Sequence, residues 1–471
     1  MYGLGTFSQC LLAAMQGNST LVAFPSQQNY TDAVEPYNLD IPVVPAAVVL
    51  PTTAAQVAAA VSCAVRAGVK VQPRSGGHNY GNYGSSTGEL SIHLDNLKAF
   101  SLDASTFQAT VGAGMLLEEL NGDLYSSGRR SIPHGISLNI GIGGHATVGG
   151  VGATTRMSGY TLDHIVEVEV VLANSSIVRA SETQHPDLFF AIRGAAASFG
   201  IVTEFVFRTD PAPPSTVSYF LGWTAANSST RAKIFKAWQG WVYQGDAPWQ
   251  MSSTLSVNPG YISVSGAYFG TQAELDALDL ESLFSTAPPD SVSSEVYTDY
   301  NVASVAWYEQ IIQSGLAYPA YFYAKCIAFE ADTEVPGDVA DNFFDYLETT
   351  TNGTQLWAVN FELLGGAIGN TASNATAMPH RDMTFVMLTY GQTSGRVSDT
   401  TFEFLDGMNT VITSGHPASY YPQYAGYVDP RENSDSARVG YWGSNLDRLK
   451  DIKASVDPHD VFHNQQSVPV A

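Results

Sequence analysis

The stretch Arg74-Ser75-Gly76-Gly77-His78-Asn79-Tyr80 is the most informative part of this sequence. It follows residues 69–73, which have the composition of a short strand, and an alanine-rich helical pattern at 54–66 that opens with a capping box at Thr53. Consecutive glycines let several backbone N–H groups point into one concavity, and such a nest binds phosphate groups without many cations. A glycine turn before a surface histidine is the simpler alternative for this stretch taken alone.

A second glycine cluster occupies residues 141–152, where six of twelve positions are glycine and His145 lies among them. It is another section where the backbone can approach a flat or charged ligand closely. Strand composition follows at 165–172 and 177–180, with a turn between them that indicates a hairpin. A short helix at 187–192, a strand at 201–208 and a helix at 446–453 complete the pattern around the two clusters.

The composition excludes several classes of protein. Of 471 residues, 45% are hydrophobic and 14% charged, which is typical of a globular chain. Lys and Arg number 21 and Asp and Glu 44, so the net charge is 21 − 44 = −23, and we expect no binding to nucleic acid or to anionic membranes. The sequence has no apolar run of about 18 residues that would span a membrane, and no metal-ligand spacing, so we expect no metal site.

The three cysteines are Cys10, Cys63 and Cys326. One disulfide between Cys10 and Cys63, with Cys326 free, is the favoured interpretation, and three buried thiols are the alternative. The start of the chain lacks the basic and apolar regions of a signal peptide, and we expect that such a peptide has been removed and that the protein is a secreted glycoprotein. Six Asn-x-Ser/Thr sequons support secretion: Asn18, Asn29, Asn174, Asn227, Asn352 and Asn374.

The two glycine clusters resemble those of the vanillyl-alcohol oxidase superfamily of FAD enzymes. Three further features belong to the same pattern: Asp163, the run at 199–202 and the terminal run at 464–467. Within it, the chain is similar to the berberine-bridge-enzyme-like branch and to fungal oligosaccharide oxidases. The resemblance covers nearly the whole chain and is densest over residues 45–210 and 420–470. It implies an α+β fold, with an FAD-binding part at 1–212, an inserted substrate part at 213–420 built on an antiparallel sheet covered by helices, and a return to the FAD-binding part at 421–471.

The same resemblance implies that FAD is bonded covalently to His78 through its 8α-methyl group. The residues expected to hold the cofactor are Arg74, Ser75, Gly76, Gly77, His78, Asn79, Tyr80, Ser137, Ile140, Gly143, Gly144, His145, Gly149, Gly150, Gly152, Ile201, Val202 and Gln466.

One departure from the family pattern concerns a second covalent link. Members with two links carry a cysteine where this chain has Ser137, eight positions before His145. Serine cannot form that thioether, so we predict a single link, through His78. In the family, the position of Ile140 borders the path of O2, with Val typical of oxidases and Leu of poor O2 users. These departures favour a dehydrogenase with a quinone-like acceptor over an oxidase that uses O2.

The expected catalytic base is a tyrosine in a C-terminal Tyr-x-Asn-Tyr-x-Asp pattern, which here runs from Tyr424 to Asp429 with Gly426 in place of the asparagine. Tyr427 is the first candidate and Tyr424 the second. Glu362 matches the family strand that supplies a carboxylate to this tyrosine, and the two are expected to act as a proton relay. The alternative for Glu362 is a solvated strand residue.

Alternation along a strand places Asn360 on the same face as Glu362, so Asn360 could bind sugar hydroxyls. Tyr80, Tyr323 and Tyr424 are further candidates for contact with substrate. The motif 379–382, which contains His380 and Arg381, is interpreted as structural.

The predicted reaction is oxidation of the reducing-end C1 hydroxyl of a neutral oligosaccharide to a lactone, by an enzyme that we expect to be monomeric. The first alternative is a flavin oxidase of a secondary metabolite on the same scaffold. The second is a non-catalytic flavoprotein of this fold.

Overall fold

The computed structural model of the chain describes residues 4–313, 318–417 and 420–471. Residues 1–3 of the predicted FAD-binding part, and 314–317 and 418–419 of the predicted substrate part, lie outside the described residues. The first part of the chain contains, in order, α1 (Leu4–Ala14), β1 (Val22–Ala23), α2 (Gln28–Ala33), β2 (Ala47–Val49), α3 (Ala54–Ala67), β3 (Val71–Arg74), β4 (Leu90–His93), β5 (Phe100–Leu102), β6 (Gln108–Gly112), α4 (Leu117–Gly128), β7 (Arg130–Ser131), α5 (Ile142–Val148), α6 (Thr155–Ser158), β8 (Ile165–Val171), β9 (Ile177–Ser181), α7 (Pro186–Ala195), β10 (Ile201–Arg208) and β11 (Asp210–Pro211).

The helix before the first glycine cluster begins at Thr53 as predicted, but the capping box is incomplete, because the Gln56 side chain accepts from the Thr52 N–H in place of the Thr53 N–H. The Thr53 side chain accepts a hydrogen bond from the Gln56 N–H, which satisfies a free donor in the first turn of α3. Gly68 ends the helix with a φ of 68°, a conformation that glycine adopts without strain. Strand β3 then runs parallel to β4 in a four-stranded sheet of order β1-β2-β4-β3. The first glycine cluster therefore starts at the end of a buried strand.

A second sheet of the first part is antiparallel, with the order β5-β6-β10-β8-β9. It contains the predicted hairpin, formed by β8 and β9. Strand β10 also contacts the segment after β6, because the Ala113 N–H donates to the Thr203 carbonyl at 3.0 Å. The two sheets share one hydrophobic core with α3, α5 and α7.

The second part of the chain is built on a seven-stranded sheet of order β15-β12-β14-β13-β17-β18-β16, in which every pairing is antiparallel. We call it the substrate sheet. Its elements are β12 (Thr216–Thr224), α8 (Ser228–Tyr243), β13 (Thr254–Asn258), β14 (Tyr261–Tyr268), α9 (Gln272–Asp276), α10 (Leu280–Leu283), β15 (Ser291–Tyr297), α11 (Tyr300–Gln313), β16 (Tyr321–Phe329), α12 (Gly337–Thr349), β17 (Leu356–Leu363), β18 (Phe385–Thr393) and α13 (Asp399–Thr413).

Alternation along these strands gives the substrate sheet two different faces. Leu255 and Val257 of β13, and Val359 and Phe361 of β17, are buried under helices α8, α12 and α13 in a second hydrophobic core. The residues between them point to the opposite face, towards the first part of the chain. The predicted α+β fold with a helix-covered antiparallel sheet is confirmed.

The last part of the chain, with α14 (Ser434–Trp442) and α15 (Leu446–Val456), returns to the first part. The Lys453 ammonium is fully buried there, where it forms an ion pair with Asp457 at 2.7 Å and donates to the Ser198 carbonyl. A buried charge of this kind is stable only when it is paired, so these contacts fix the C-terminal segment on the first part.

The predicted disulfide is confirmed. Cys10 of α1 is bonded to Cys63 of α3, and Cys326 of β16 is a buried free thiol. Such bonds persist in oxidising compartments, and five of the six sequon asparagines are exposed, but secretion and glycosylation stay predictions. Among the described residues, no helix combines the length and hydrophobicity that a membrane span requires.

Candidate active site

A cavity of about 960 Å³ lies between the first part of the chain and the substrate sheet. This volume is near the upper end of the range of about 300–1,000 Å³ that is usual for small-molecule sites. The structure places most of the predicted site residues on its wall. These are Arg74, Ser75, Gly76, Gly77, His78, Asn79, Tyr80, Ser137, Ile140, Gly143, Gly144, His145, Gly152, Val202, Gln466, Asn360, Glu362, Tyr424 and Tyr427.

The two glycine clusters are in direct backbone contact at one end of this cavity. A Cβ added to Gly76 would lie 2.3 Å from the Gly141 nitrogen, and a Cβ added to Gly141 would lie 2.1 Å from the Gly76 nitrogen. No side chain fits at either position, because real Cβ atoms do not approach other heavy atoms so closely. The glycines therefore let two loops, distant in sequence, form one continuous backbone surface.

His78 lies at the junction of the two clusters. Burial, and next the neighbouring Arg74 guanidinium, lower its pKa to about 4, so its imidazole is neutral at physiological pH. The backbone of Asn139, in the loop before the second cluster, opposes this lowering of the His78 pKa in part. In a neutral imidazole, one nitrogen donates and the other keeps a lone pair. His78 therefore presents a nucleophilic nitrogen, and the Tyr37 ring packs against it at 4.5 Å.

Other polar side chains of the first cluster support the loop itself. The Ser75 hydroxyl donates to the Ala113 carbonyl at 2.7 Å, and the Asn79 carboxamide accepts from the Gly81 and Tyr83 N–H groups. The Arg74 guanidinium donates to the Ala33 carbonyl at 3.1 Å. These side chains are bonded within the protein, so the backbone N–H groups are the donors that this loop has to offer to a phosphate group.

Tyr427 and Glu362 meet at the border of the substrate sheet. The Tyr427 hydroxyl lies 3.5 Å from both carboxylate oxygens of Glu362, and the Tyr80 ring stacks on the Tyr427 ring at a centroid distance of 5.8 Å. Burial raises the pKa of Glu362 to about 7, while the hydrogen bond from Tyr427 lowers it in part. Burial, and next the Glu362 carboxylate, raise the pKa of Tyr427 well above 10. Near neutral pH, Glu362 can therefore be ionised while Tyr427 stays protonated, so Glu362 is the member of the pair that is available to accept a proton.

Tyr424 links the base to the second glycine cluster. Its hydroxyl accepts a hydrogen bond from the Gly150 N–H at 3.0 Å, and its carbonyl accepts from the Tyr427 N–H at 2.9 Å. The substitution of the family asparagine by Gly426 has a steric explanation. A Cβ at Gly426 would lie 2.3 Å from the Tyr424 ring, so the present position of that ring requires glycine.

The substrate sheet contributes a series of hydroxyl groups beside this pair. Glu362 is paired with Thr254, Thr254 with Ser265, and Asn360 with Ser256. Directly paired residues of antiparallel strands point to the same face. The cavity-facing hydroxyl residues form what we call the hydroxyl wall: Ser218, Thr254, Ser256, Ser265 and Ser293.

Four predicted site residues lie outside the cavity. Ile201 is fully buried, because alternation along β10 turns it into the core and turns Val202 to the cavity. Gly149 and Gly150 have φ values of 139° and 84° and form the turn that contacts the Tyr424 ring. Tyr323 lies on the helix-covered face of the substrate sheet, where its hydroxyl donates to Asp429 at 3.0 Å.

The sequence analysis missed several residues of the cavity. Tyr37 contacts His78 but lies far from it in sequence, and the hydroxyl wall is assembled by strand pairing rather than by a motif. The indole N–H of Trp307, on α11, donates to the Ser218 hydroxyl at 2.7 Å and closes the far side of the cavity. The segment at 194–198 and Trp442 also line it. Strand alternation would have identified the serines once the sheet order was known.

The motif at 379–382 has structural contacts. Arg381 is 3% exposed and forms an ion pair with Asp163 at 2.8 Å, and His380 contacts the Gly440 carbonyl. No cluster of metal-ligating side chains occurs among the residues that the structure describes.

Comparisons with known proteins agree with this geometry. Residues 45–181 match the family described as FAD binding domain, and residues 423–469 match the family described as berberine and berberine like. The FAD-linked oxidoreductase sorD of Penicillium rubens is 50% identical over 469 residues, which are 100% of this chain and 99% of that protein. The xylooligosaccharide oxidase of Thermothelomyces thermophilus is 34% identical over 94% of this chain and 90% of that protein.

Solved structures show the same fold. A xylooligosaccharide oxidase from Myceliophthora thermophila C1, in complex with xylobiose, superposes with a TM-score of 0.90 at 32% identity and covers 99% of both chains. A glucooligosaccharide oxidase from Acremonium strictum, described with a 6-S-cysteinyl, 8α-N1-histidyl FAD, has a TM-score of 0.88 at 29% identity, again over 99% of both chains.

The fold and the site thus define a flavoprotein of the vanillyl-alcohol oxidase type. The chain belongs to its berberine-bridge-enzyme-like family of FAD-linked oxidoreductases. FAD is the cofactor, and the residues present fit it, because Gly76 and Gly141 bring the backbones of the two loops together on the cavity wall and His78 presents a neutral imidazole beside them.

Replacing Gly141 with alanine tests the contact between the two clusters. Gly141→Ala should lower the free energy of unfolding by about 1–3 kcal/mol, because the added methyl group forces the loops apart, and should lower the bound flavin per protein. Urea unfolding and flavin absorbance measure both effects. The control is Gly122→Ala in α4, whose Cβ would contact nothing within 4 Å, and which should be neutral or slightly stabilising. Equal stability of the two variants would contradict the contact.

Proposed function

We propose that this FAD-linked oxidoreductase oxidises the C1 hydroxyl of a neutral oligosaccharide to a lactone and passes its electrons to an acceptor other than O2. The observation that carries the proposal is the position of the Tyr427–Glu362 pair. It lies in the same cavity as His78 and directly beside the hydroxyl wall. A base, a flavin anchor and a polar surface for hydroxylated substrates therefore share one site.

The proposed roles of the residues follow from their protonation. Bound FAD supplies the acceptor for the hydride from C1. Tyr427 removes the proton from the C1 hydroxyl and transfers its own proton to Glu362, which must be ionised to accept it. The pKa of Tyr427 is too high for a stable tyrosinate, so the proton moves through the pair as a relay. Asn360 and the hydroxyl wall donate and accept hydrogen bonds that orient the sugar.

The substrate class is supported by the charge of the protein and by its relatives. The net charge of −23 disfavours anionic substrates, and the hydroxyl wall provides neutral donors and acceptors. Relatives that are 34% and 31% identical are named xylooligosaccharide oxidase and glucooligosaccharide oxidase. The choice of acceptor is supported by Ile140, which lines the cavity where the family carries valine in oxidases.

We propose further that the flavin has one covalent link, to the free nitrogen of His78. Ser137 lies on the cavity wall where relatives with a second link have cysteine, and a serine hydroxyl cannot form a thioether. Acid precipitation of the unmodified protein should leave the yellow colour in the pellet. His78→Ala should release all of the flavin into the supernatant, while Ser137→Ala should release none. Flavin retained by denatured His78→Ala would show a second link and refute this proposal.

The relay predicts a defined pH dependence. Protonated Glu362 cannot accept a proton, so the rate of flavin reduction should rise with pH through about 7, the pKa of Glu362, and fall about tenfold per unit below it. Glu362→Gln should remove this inflection and slow the reaction by about 10²–10⁴-fold. Tyr427→Phe should slow flavin reduction to a similar extent and keep its flavin. The control is Tyr420→Phe, because Tyr420 is exposed and lies seven positions before Tyr427, and it should leave the rate unchanged. An unchanged pH profile in Glu362→Gln would rule out the relay.

Anaerobic flavin bleaching by a sugar panel tests the substrate class. Cello-, xylo- or chito-oligosaccharides should bleach the flavin, and a quinone should then reoxidise it faster than O2. Rapid reoxidation by O2 would show an oxidase, and failure of every sugar would exclude the carbohydrate proposal.

A second candidate function is oxidation of a secondary metabolite. It is favoured by the relative at 50% identity, whose name states no substrate, and by Phe220 and Trp307 on the cavity wall, which suit a flat apolar molecule. Bleaching by phenolic or polyketide-like alcohols, but by no sugar, would support this alternative.

A further inference from the structure

The segment that holds Tyr427 has no regular secondary structure of its own. Residues 422–432, which we call the base segment, contain no helix or strand. Its tyrosine must nevertheless keep a fixed distance to Glu362, on β17 of the substrate sheet. A loop without a hydrogen-bonded ladder is held only by its contacts with neighbouring elements, so the contacts of the base segment determine where the base lies.

On one side, the base segment is attached to the FAD-binding part. Tyr424 accepts from the Gly150 N–H, and the Asp429 carbonyl accepts from the Gln466 carboxamide at 2.7 Å. Gln466 in turn accepts a hydrogen bond from the Tyr441 hydroxyl at 2.9 Å. These contacts fix the segment relative to the flavin, but none of them fixes it relative to Glu362.

On the other side, the base segment contacts β16, the edge strand of the substrate sheet. The Lys325 ammonium lies 2.9 Å from the Asp429 carboxylate and 3.0 Å from Asp406 on α13. The Tyr323 hydroxyl donates to the same Asp429 oxygen at 3.0 Å. The Asp429 side chain is 5% exposed and that of Lys325 is 20% exposed, so this pair is shielded from water on the carboxylate side.

The geometry of β16 makes this contact specific. Tyr323 and Ile327 belong to the helix-covered core, whereas Phe322 and Cys326, which alternate with them, face the cavity side. Lys325 shares the side of Tyr323. The base segment therefore spans the edge of the sheet, with Tyr427 at Glu362 on one face and Asp429 at Lys325 on the other.

We propose that Lys325 is a positioning residue, which fixes the base segment to the substrate sheet through Asp429 and thereby keeps Tyr427 in contact with Glu362. The inference rests on the proposed role of Tyr427 as the base. Lys325 does not line the cavity, so it contacts neither substrate nor flavin. Burial opposes the charge of Lys325, but the neighbouring Asp429 and Asp406 carboxylates raise its pKa above the usual value.

The kinetic test uses Lys325→Met, which keeps the length of the side chain and removes its charge. The maximal rate of anaerobic flavin reduction should fall about 10–100-fold, because a displacement of about 1 Å can slow a reaction 10²-fold. The substrate concentration at half saturation should change less than about threefold. Lys325→Arg should restore most of the rate, since arginine can pair with both carboxylates.

The matched control is Lys236→Met, which breaks the ion pair to Asp341 (2.7 Å) between α8 and α12 of the same part of the chain. It should leave the reduction rate unchanged. In a Tyr427→Phe background, Lys325→Met should have no further effect, because the two act through one group. An equal loss in both backgrounds would overturn the proposal.

A second readout needs no substrate and no turnover. Amide hydrogen exchange of the base segment should be faster in the flavin-loaded Lys325→Met protein than in the unmodified protein or Lys236→Met, while exchange in β12–β14 stays the same. Unchanged exchange in the base segment would refute the positioning role. Because this measurement involves no sugar, its outcome is separate from that of the substrate panel.

Discussion

The backbone contact between Gly76 and Gly141 is the constraint on which the site depends. Each cluster alone is a glycine turn with several possible meanings. Their contact joins the two loops into one surface, and His78 lies close enough to Asn139 of the second loop for that backbone to influence the His78 pKa. His78 thus lies beside the loop that also carries Ser137 and Ile140. The flavin anchor and the residues expected to control access to the flavin therefore form one unit.

The proposed chemistry depends on bringing a second unit to the first. Glu362 is fixed by the hydrogen-bond ladder of the substrate sheet, while Tyr427 lies on a segment that is shared between both parts of the chain. A rigid sheet provides the carboxylate and the polar wall, and a loop provides the base. Such a division permits the wall to vary without changing the flavin site, because the two have separate hydrophobic cores.

Much of this arrangement could be predicted from local patterns. Capping at Thr53, the strand before the first cluster and the shared face of Asn360 and Glu362 all follow from residue types and spacing, because each depends on neighbours within one element. The structure places Tyr323 and Ile201, two of the expected site residues, outside the cavity. A strand has two faces, and the face that meets the cavity is decided by packing with distant elements. The hydroxyl wall was missed for the same reason, since its serines become neighbours only through the pairing of strands that are not adjacent in sequence.

The hydroxyl wall also has a consequence for the evolution of substrate preference. Its members are short side chains on strands whose opposite face carries the apolar residues of the core, so exchanging them alters the shape of the cavity with little change in packing. A chain with this architecture can acquire a new substrate by a few replacements on one face of one sheet. The same scaffold can thus accommodate substrates of different shape, while the flavin site and the Tyr427–Glu362 pair remain where they are.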